Sequence, residues 1–515
     1  MKSIRQAHTA PELAVRGLLK KLGVSFRTCV RSLPGRPDIV NRKAGWAIFV
    51  HGCFWHGHVG CKLFTVPKTN TKFWTEKVEG NRKRDARKAR ALRKLGLRVV
   101  TIWQCETRNL ERLERRLKRV LGGPSVEMGG NDKAYLQGKR ARVRRPRGDV
   151  RVVDLFSGCG GLTLGVMEAA RLEGKRLDVR LAVEADPPIA RTYAANFKPA
   201  HGAAASSVTD WFDRPPGDRL SLVERRTRKG VGPVDLLVGG PPCTGHSTLN
   251  NHTRGRDPKN ALYLVMVRAA EVLEPRAIII ENVPALERDS RRTLASAIEH
   301  FERLGYAVDH GVVCVADIGV AQLRKRHILM AHKSARPDLE SALNAAHTSA
   351  RSLRWAIGDL RSTYGDTAFD TAARLSPENE KRARFLLKKG LHDLPNAKRP
   401  DCQQDDHKYK SMYGRLWWNR AAQTITTGFG SPGQGRYFHP SEVRTLTPHE
   451  AARIQFFPDW FDFSPLVHQK YLARAIGNAV PSKLAFVLAS HLLALRAKAE
   501  ARGAYRPTNN RATGT

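Results

Sequence analysis

The sequence predicts an α/β protein with more than one core. Beyond residue 150, short apolar runs at 151–155, 179–183, 234–238 and 276–280 alternate with helical stretches, the rhythm of a parallel sheet crossed by helices. Residues 1–122 carry strand and helix signals of their own around a dense group of cysteines and histidines. Between them, 123–149 is rich in glycine and charge and lacks apolar periodicity. At 515 residues the chain is too long for one core, and about 150 residues per domain suggests two to four units.

The first helix is signalled over about 10–22. Thr9 is its N-cap, Glu12 stands three residues on, Leu13, Leu18, Leu19 and Leu22 give an apolar stripe, and Gly23 ends it. Short strands follow near Asp38–Val40 and Trp46–Val50, then a long charged helix around 73–95, a strand at Arg98–Trp103 and a last helix to about 120. The linker holds a basic run of Lys139, Arg140, Arg142, Arg144, Arg145 and Arg147, which suits either DNA phosphates or plain solvation. The stretch 335–415 is polar and irregular, and residues 498–515 read as a flexible tail.

Composition narrows the partners. Lys and Arg number 89 against 48 Asp and Glu, a net charge of +41, so a polyanion is expected. Eight cysteines spread over the chain read as reduced thiols with chemistry or metal to attend to, not as a disulfide framework. The first residues lack the apolar core of a signal peptide, and no run approaches the ~18 apolar residues of a membrane span. The expected location is the cytoplasm, at the nucleoid, with no membrane partner.

Chemistry concentrates in VHGCFWHGHVGCKLF, Val50 to Phe64. Cys53, His58 and Cys61, with Cys105 at the end of the next strand, would close a tetrahedral zinc site, which leaves no position for substrate and is therefore structural. Asp38, in LPGRPDIV, is placed either to hold Mg²⁺ against a phosphate or simply to make a turn after Gly35-Arg36-Pro37. His51 and His56 suit a general base or a packed imidazole.

LPGRPDIV, HGCFWHGH, VPKTNTKFW and IWQCE occur in an order and spacing in which 1–122 resembles the very-short-patch repair endonucleases. That resemblance implies a restriction-endonuclease-like fold that nicks one strand beside a T:G mismatch. It makes Asp38 the magnesium carboxylate with the Val50 carbonyl, and Glu12, His51 and His56 active-site partners. Cys53, His58, Cys61 and Cys105 would hold zinc. Phe54, Trp55 and Met1 would wedge between base steps, where a mismatch lowers the unstacking cost. Here Val59 and Gly60 separate His58 from Cys61, one residue more than in some relatives.

In the second half, VVDLFSGCGGLTLGV runs from a strand through a glycine-rich turn into a helix. Gly158, Gly160 and Gly161 would let backbone approach a cofactor, and Glu184 ends the next strand where α/β folds bind a ribose. Asp210 follows the third segment, within reach of an adenine amino group. VDLLVGG then empties into PPCTGHS, placing Cys243 at the mouth of the sheet as either a nucleophile or a structural thiol.

DLFSGCGG, GGPPC, ENV, QLRKR, TITTG and GNAVP, in that order over 151–496, resemble the cytosine-C5 DNA methyltransferases. The resemblance implies a Rossmann-like fold dependent on S-adenosylmethionine, with a small target-recognition domain. The cofactor would lie on Phe156, Gly158, Gly160 and Gly161, with Glu184, Asp210, Asn478 and Val480 around it. Cytosine would flip from the duplex. Cys243 would add to C6, Glu281 would hold N3, and Arg324 and Arg326 would support the flipped nucleotide. Thr244 and His246 stand where Gln and Phe are usual, and Ala421 and Ala422 where a proline is common.

The expected domains are therefore 1–122 endonuclease, 123–149 basic linker, 150–334 and 416–497 methyltransferase, 335–415 target recognition and 498–515 tail. Double-stranded DNA is the partner of both halves, and other repair proteins are candidate partners. Deamination of 5-methylcytosine yields T opposite G, so the second half would create the lesion that the first half nicks. The alternative is a restriction–modification fusion whose nuclease cuts unmethylated DNA on both strands. The wedge and its zinc ligands favour mismatch nicking. The intact set Asp38, His56, Cys243, Glu281, Arg324 and Arg326 speaks against a DNA-binding regulator with decayed sites.

Overall fold

The computed structural model describes residues 8–22, 24–28, 30, 32–42, 46–58, 61, 63–65, 67, 69–94, 97–121, 127–141, 143, 145–202, 205–242, 262–289, 292–360, 367–404 and 411–501. It separates into two compact units, residues 1–125 with 344–347, and 126–343 with 348–515.

The first unit runs α1 (Ala10–Lys21), β1 (Arg27–Thr28), β2 (Ile39–Asn41), β3 (Trp46–His51), α2 (Thr71–Lys94), β4 (Arg98–Trp103) and α3 (Leu110–Leu121). The sheet order is β1-β2-β3-β4, antiparallel except for the parallel β3–β4 pair. Side chains alternate across β3 as a period of two demands. Trp46 and Ile48 join Ile39, Val100 and Ile102 under α1 and α3, whose Val15, Leu19, Leu113 and Leu117 close that core. Ala47 and Phe49 face the other way, onto Val40, Leu97 and Leu92 of α2. The helix start expected at Thr9 is present: its N–H (3.4 Å) and hydroxyl (3.0 Å) both donate to the Glu12 carboxylate.

The second unit adds α4 (Asp132–Gln137), β5 (Asp149–Leu155), α5 (Gly161–Leu172), β6 (Arg176–Val183), α6 (Pro187–Phe197), α7 (Leu222–Val231), β7 (Leu236–Gly239), α8 (Leu262–Leu273), β8 (Ala277–Asn282) and α9 (Thr293–Arg303). Then come β9 (Ala307–Cys314), β10 (Lys325–His332), α10 (Leu339–Ala345), α11 (Leu353–Ile357), α12 (Pro377–Lys388), α13 (Pro448–Ile454), α14 (Gln469–Asn478) and α15 (Ser482–Ala501). The six-stranded sheet has the order β6-β5-β7-β8-β10-β9. The first four strands of that order are parallel, and β10 runs antiparallel to both its neighbours. β7 and β8 are buried along their whole length, which is why they read as unbroken apolar runs rather than alternating ones. Chain order reverses between β5 and β7, and the loops after these two strands open at that switch point, where α/β sheets bind ligands.

Two expected boundaries differ from the structure. Within the stretch expected as linker, Met128, Tyr135 and Leu136 are buried in the second unit, and Lys483 reaches Asp132 at 2.6 Å with both side chains buried. Lys133 (2.5 Å) and Gln137 (2.8 Å) both bond Asp359. Arg140, from the basic run, lies over the Trp460 ring at 5.5 Å. Apolar Met128 and Leu136 amid the charges were the signal that this segment packs. The stretch 335–415 likewise does not coincide with one body. Leu353, Ala356, Ile357 and Leu360 join the large core with α13 and α14. A separate small core joins Ala383, Leu386 and Leu394 to Phe438, beyond residue 415. The tail beyond Ala501 lies outside the described residues.

One stretch, Gln469–Leu495, is apolar and long enough by composition to cross a membrane. It is two helices broken at Pro481, and most of it is buried in the core.

Candidate functional site

In the first unit, the segment after β3 folds back so that its ligands meet those following β4. β3 and β4 are parallel neighbours, with His51 opposite Trp103, so Cys53 and Cys105 leave the sheet side by side. The His58 Nδ1 lies 3.5 Å from the Cys53 sulfur and 3.4 Å from that of Cys105. Cys61 completes the group, all four ligand atoms lying within 4.8 Å of one another. Tetrahedral zinc, with sulfur at about 2.3 Å and nitrogen at about 2.0 Å, separates S from N by roughly 3.5 Å, so this donor set fits the ion. The His58 ring stacks flat on Trp103 at 4.2 Å, which fixes its orientation. Burial, with Cys53 and Cys61 close by, pushes the Cys105 thiol up to about 12, a crowding that a bound cation would relieve.

Asp38 precedes β2 and accepts the Val50 N–H at 2.7 Å. Burial raises its carboxyl to about 6, with Glu12 nearby adding to the shift and the Val50 bond opposing it. Glu12 itself is buried and bonded to Arg16 at 2.9 Å. His51 and His56 stack with ring centroids 3.9 Å apart. Burial, reinforced by His56, pushes His51 down to about 4, so its imidazole is neutral. His56 meets a residue that the sequence reading did not single out: its Nδ1 lies 2.5 Å from the Asp85 carboxylate on α2. The signal was available, since Asn81 and Asp85 stand one helical turn apart in the otherwise basic GNRKRDARK. Asn81 donates to the Trp55 carbonyl at 2.7 Å, so α2 anchors this loop at both points.

Phe54 and Trp55 meet edge to face at 5.2 Å, and Trp74 packs on Phe54 at 5.4 Å, with Phe73 exposed beside it. Met1, Val59 and Gly60 lie outside the described residues.

In the second unit the loop after β5 is shaped by contacts that admit no side chain. A Cβ on Gly161 would meet the Val480 carbonyl oxygen at 2.3 Å, whereas one on Gly158, at φ +55°, would meet nothing within 4 Å. The loop is therefore clamped against the GNAVP segment while its Gly158 backbone borders open space, which fits the close approach of a nucleotide-type cofactor. Phe156 also takes a left-handed φ of +57°, which an aromatic residue adopts only when its surroundings dictate it. Glu184 accepts the Gly158 N–H (3.0 Å) and the Asp186 N–H (2.9 Å), so its carboxylate is fixed against the loop, and burial raises its pKa. Asp210 is exposed, accepts the Ser207 N–H at 2.8 Å, and borders a groove with Ser206 and Trp211. Asn478 ends α14 and is exposed.

Glu281 near the end of β8 pairs with Arg326 of β10 at 2.6 Å. Its other oxygen is the nearest atom, at 3.4 Å, to a Cβ built on Gly240 in the loop after β7. Asn282 donates to the Pro241 carbonyl at 3.2 Å, holding that loop to β8. Cys243, Thr244 and His246 lie outside the described residues. Arg324 is placed differently from expectation. It is buried and donates to the carbonyls of Ile425 (2.7 Å) and Gly477 (3.2 Å), joining TITTG to the end of α14.

A family model described as C-5 cytosine-specific DNA methylase matches residues 150–494, and one described as DNA mismatch endonuclease Vsr matches residues 1–62. The chain is 41% identical over 364 residues to Type II methyltransferase M1.BsuMI of Bacillus subtilis (strain 168), covering 70% of this chain and 85% of that one. It is 48% identical over 121 residues to Type II nicking enzyme V.XorIIP of Xanthomonas oryzae pv. oryzae, covering 24% and 88%. With DNA mismatch endonuclease Vsr of Escherichia coli (strain K12) the identity is 46% over 113 residues, covering 22% and 72%.

Proposed function

The chain belongs to the C-5 cytosine-specific DNA methylases and carries a Vsr-type nicking endonuclease ahead of that domain, and we propose that the two act in sequence on one kind of DNA site. The methylase modifies cytosine, and the endonuclease nicks beside the T:G mismatch that deamination of the product leaves. The observation that carries the methylase half is the Glu281–Arg326 pair set against Gly240 at the mouth of the sheet.

S-adenosylmethionine supplies an electrophilic methyl group when bound. Phe156, Gly158, Gly160 and Gly161 would hold it, with Glu184 at the ribose, Asp210 at the adenine, and Asn478 and Val480 closing the pocket. C5 of cytosine is too weak a nucleophile to take that methyl unaided. In the flipped base, the Cys243 thiolate adds to C6 while Glu281 bonds N3, and the electron pair moves to C5. Arg326 orients Glu281. Arg324 is a positioning residue that holds the TITTG segment. After methyl transfer a base removes the C5 proton, and expulsion of Cys243 restores the ring.

In the first unit Mg²⁺ would be held by Asp38 and the Val50 carbonyl, and it supplies charge neutralisation at the scissile phosphate. His56, oriented by Asp85, takes the proton of the attacking water, and neutral His51 stacks against it. Phe54 and Trp55 enter the stack beside the mismatch, with Met1 as a third wedge. The zinc set Cys53, His58, Cys61 and Cys105 holds the wedge loop in place.

The test uses the full chain, Mg²⁺ and a random duplex library carrying paired cytosines or single T:G mismatches. Labelled S-adenosylmethionine reports methylation, and strand-resolved gels report nicking. Nicking beside T:G in the context that is methylated is the expected result. Double-strand cutting of unmodified DNA without mismatch preference would replace this reading with a restriction–modification fusion.

A further inference from the structure

We propose that Glu287, His310 and His327 form a second metal site, in the methylase unit, for a divalent ion of the zinc class with an open coordination position. His327 follows Arg326 on β10, His310 lies on the adjacent β9, and Glu287 stands in the short turn after β8. Their ligand atoms all lie within 4.8 Å of one another. The His310 Nδ1 and His327 Nε2 are 3.2 Å apart, and tetrahedral zinc with Zn–N near 2.0–2.1 Å spaces two nitrogens by about 3.3 Å. The Glu287 carboxylate is 3.9 Å from the His327 Nε2, and because Glu287 is exposed a small side-chain rotation closes that distance.

The donor set selects the ion. Two imidazoles and one carboxylate suit zinc, cobalt or nickel, whereas magnesium and calcium prefer oxygen ligands throughout. Three protein ligands leave a position for water or another small donor. His327 is buried, and its Nε2 is the nitrogen that faces both His310 and Glu287. The placement gives the ion a consequence. His327 lies opposite Asn282 in the β8–β10 ladder, so an ion held here ties together the strand ends that present Glu281 and Arg326. The donors contain no sulfur, which makes this site chemically separable from the cysteine-rich group of the first unit.

The experiment strips the full chain with a chelator, then dialyses it against zinc and, in parallel, against cobalt(II). Wild type should take up two equivalents. His310→Ala and Glu287→Gln should each lose one, and Cys61→Ser should lose the other. Both His310 and Glu287 are exposed, so these substitutions leave the cores intact. In the cobalt protein the thiolate charge-transfer band should follow Cys61 alone. The weaker visible bands that persist in Cys61→Ser should vanish in the Cys61→Ser/His310→Ala double variant. If His310→Ala and Glu287→Gln bind as much zinc as wild type with unchanged cobalt spectra, the pair is only two hydrogen-bonded histidines and the proposal falls.

Discussion

The two halves assemble their chemistry in opposite ways. The first unit draws most of its polar site from the stretch between His51 and Cys61, with Asp38, Asp85 and Cys105 brought against it by one small sheet and one long helix. The methylase unit draws its candidate residues from segments near 156, 184, 210, 240, 281, 326 and 478, spread over a six-stranded mixed sheet and the turns and helix ends around it. A local site pinned by a few cross-links should fail as a unit when one link is removed. A site spread along a rigid sheet edge should lose its residues one function at a time.

The largest effect expected is on methylation. Cys243→Ala should remove methyl transfer by about 10⁴-fold or more, because the proposed mechanism runs through the C6 adduct of this thiol, while nicking stays at the wild-type level. Labelled methyl incorporation and strand-resolved gels on the same preparation check both halves together. Unchanged methylation by this variant would overturn the covalent mechanism.

Asp38→Asn is the counterpart in the first unit. With Asp38 in its proposed role at Mg²⁺, the substitution should cost nicking on the order of 10³-fold and leave methylation untouched. If nicking in Asp38→Asn responded to Mg²⁺ as in wild type, Asp38 would be a turn residue only.

The third prediction tests the comparison itself. Cys61→Ser should destabilise the first unit by on the order of 3 kcal/mol, since in the proposed reading zinc on these four side chains ties the ends of β3 and β4 to the loop that carries Phe54 and Trp55. Thermal unfolding should then show an early transition for this unit, with nicking lost at the same temperature and methylation surviving beyond it. A single transition at the wild-type temperature would mean that these thiols do not support the fold.

How much of this was legible in the sequence follows the same division. In the first unit the strands expected at 46–50 and 98–103 and the clustering of Cys53, His58, Cys61 and Cys105 were readable, because soft side chains at short spacing have few other uses. Asp85 was missed because a lone acid in a basic helix looks like ordinary charge mixing until the fold lays α2 against His56. In the methylase unit the strand–loop junctions were legible from apolar runs ending in Gly, Glu or Pro. β9 and β10 were not: β9 is a partly exposed edge strand, and β10 opens on the charged pair Lys325-Arg326. Arg324 illustrates the remaining gap. Sequence order places it two residues from Arg326, but it precedes β10, and its partners are the carbonyls of Ile425 and Gly477, 101 and 153 residues further along the chain. The packed segment around Met128 and Leu136 was obscured by the surrounding charge.

The smallest effect concerns a group that the spread-out site keeps buried under its cofactor loop. Asp154 is wholly buried near the end of β5, accepts the Thr163 hydroxyl at 2.6 Å, and has its carboxyl pushed up to about 7 by burial, with Glu184 adding to the shift. An acid whose folded pKa lies above its unfolded value near 3.9 favours folding in its protonated form. That stabilisation is complete below about pH 4 and is lost progressively as pH rises to about 7, above which the fold carries a buried charge. The slope from this one group cannot exceed about 1.4 kcal/mol per pH unit. Asp154→Asn keeps an oxygen for Thr163 and has no proton to lose. Urea midpoints for the methylase transition between pH 5 and 8 should therefore fall with pH more steeply in wild type than in the variant, with the two curves diverging most above pH 7. Parallel curves would mean that Asp154 is ionised throughout, its charge stabilised by the Thr163 hydroxyl, which also meets the Tyr193 hydroxyl at 2.8 Å.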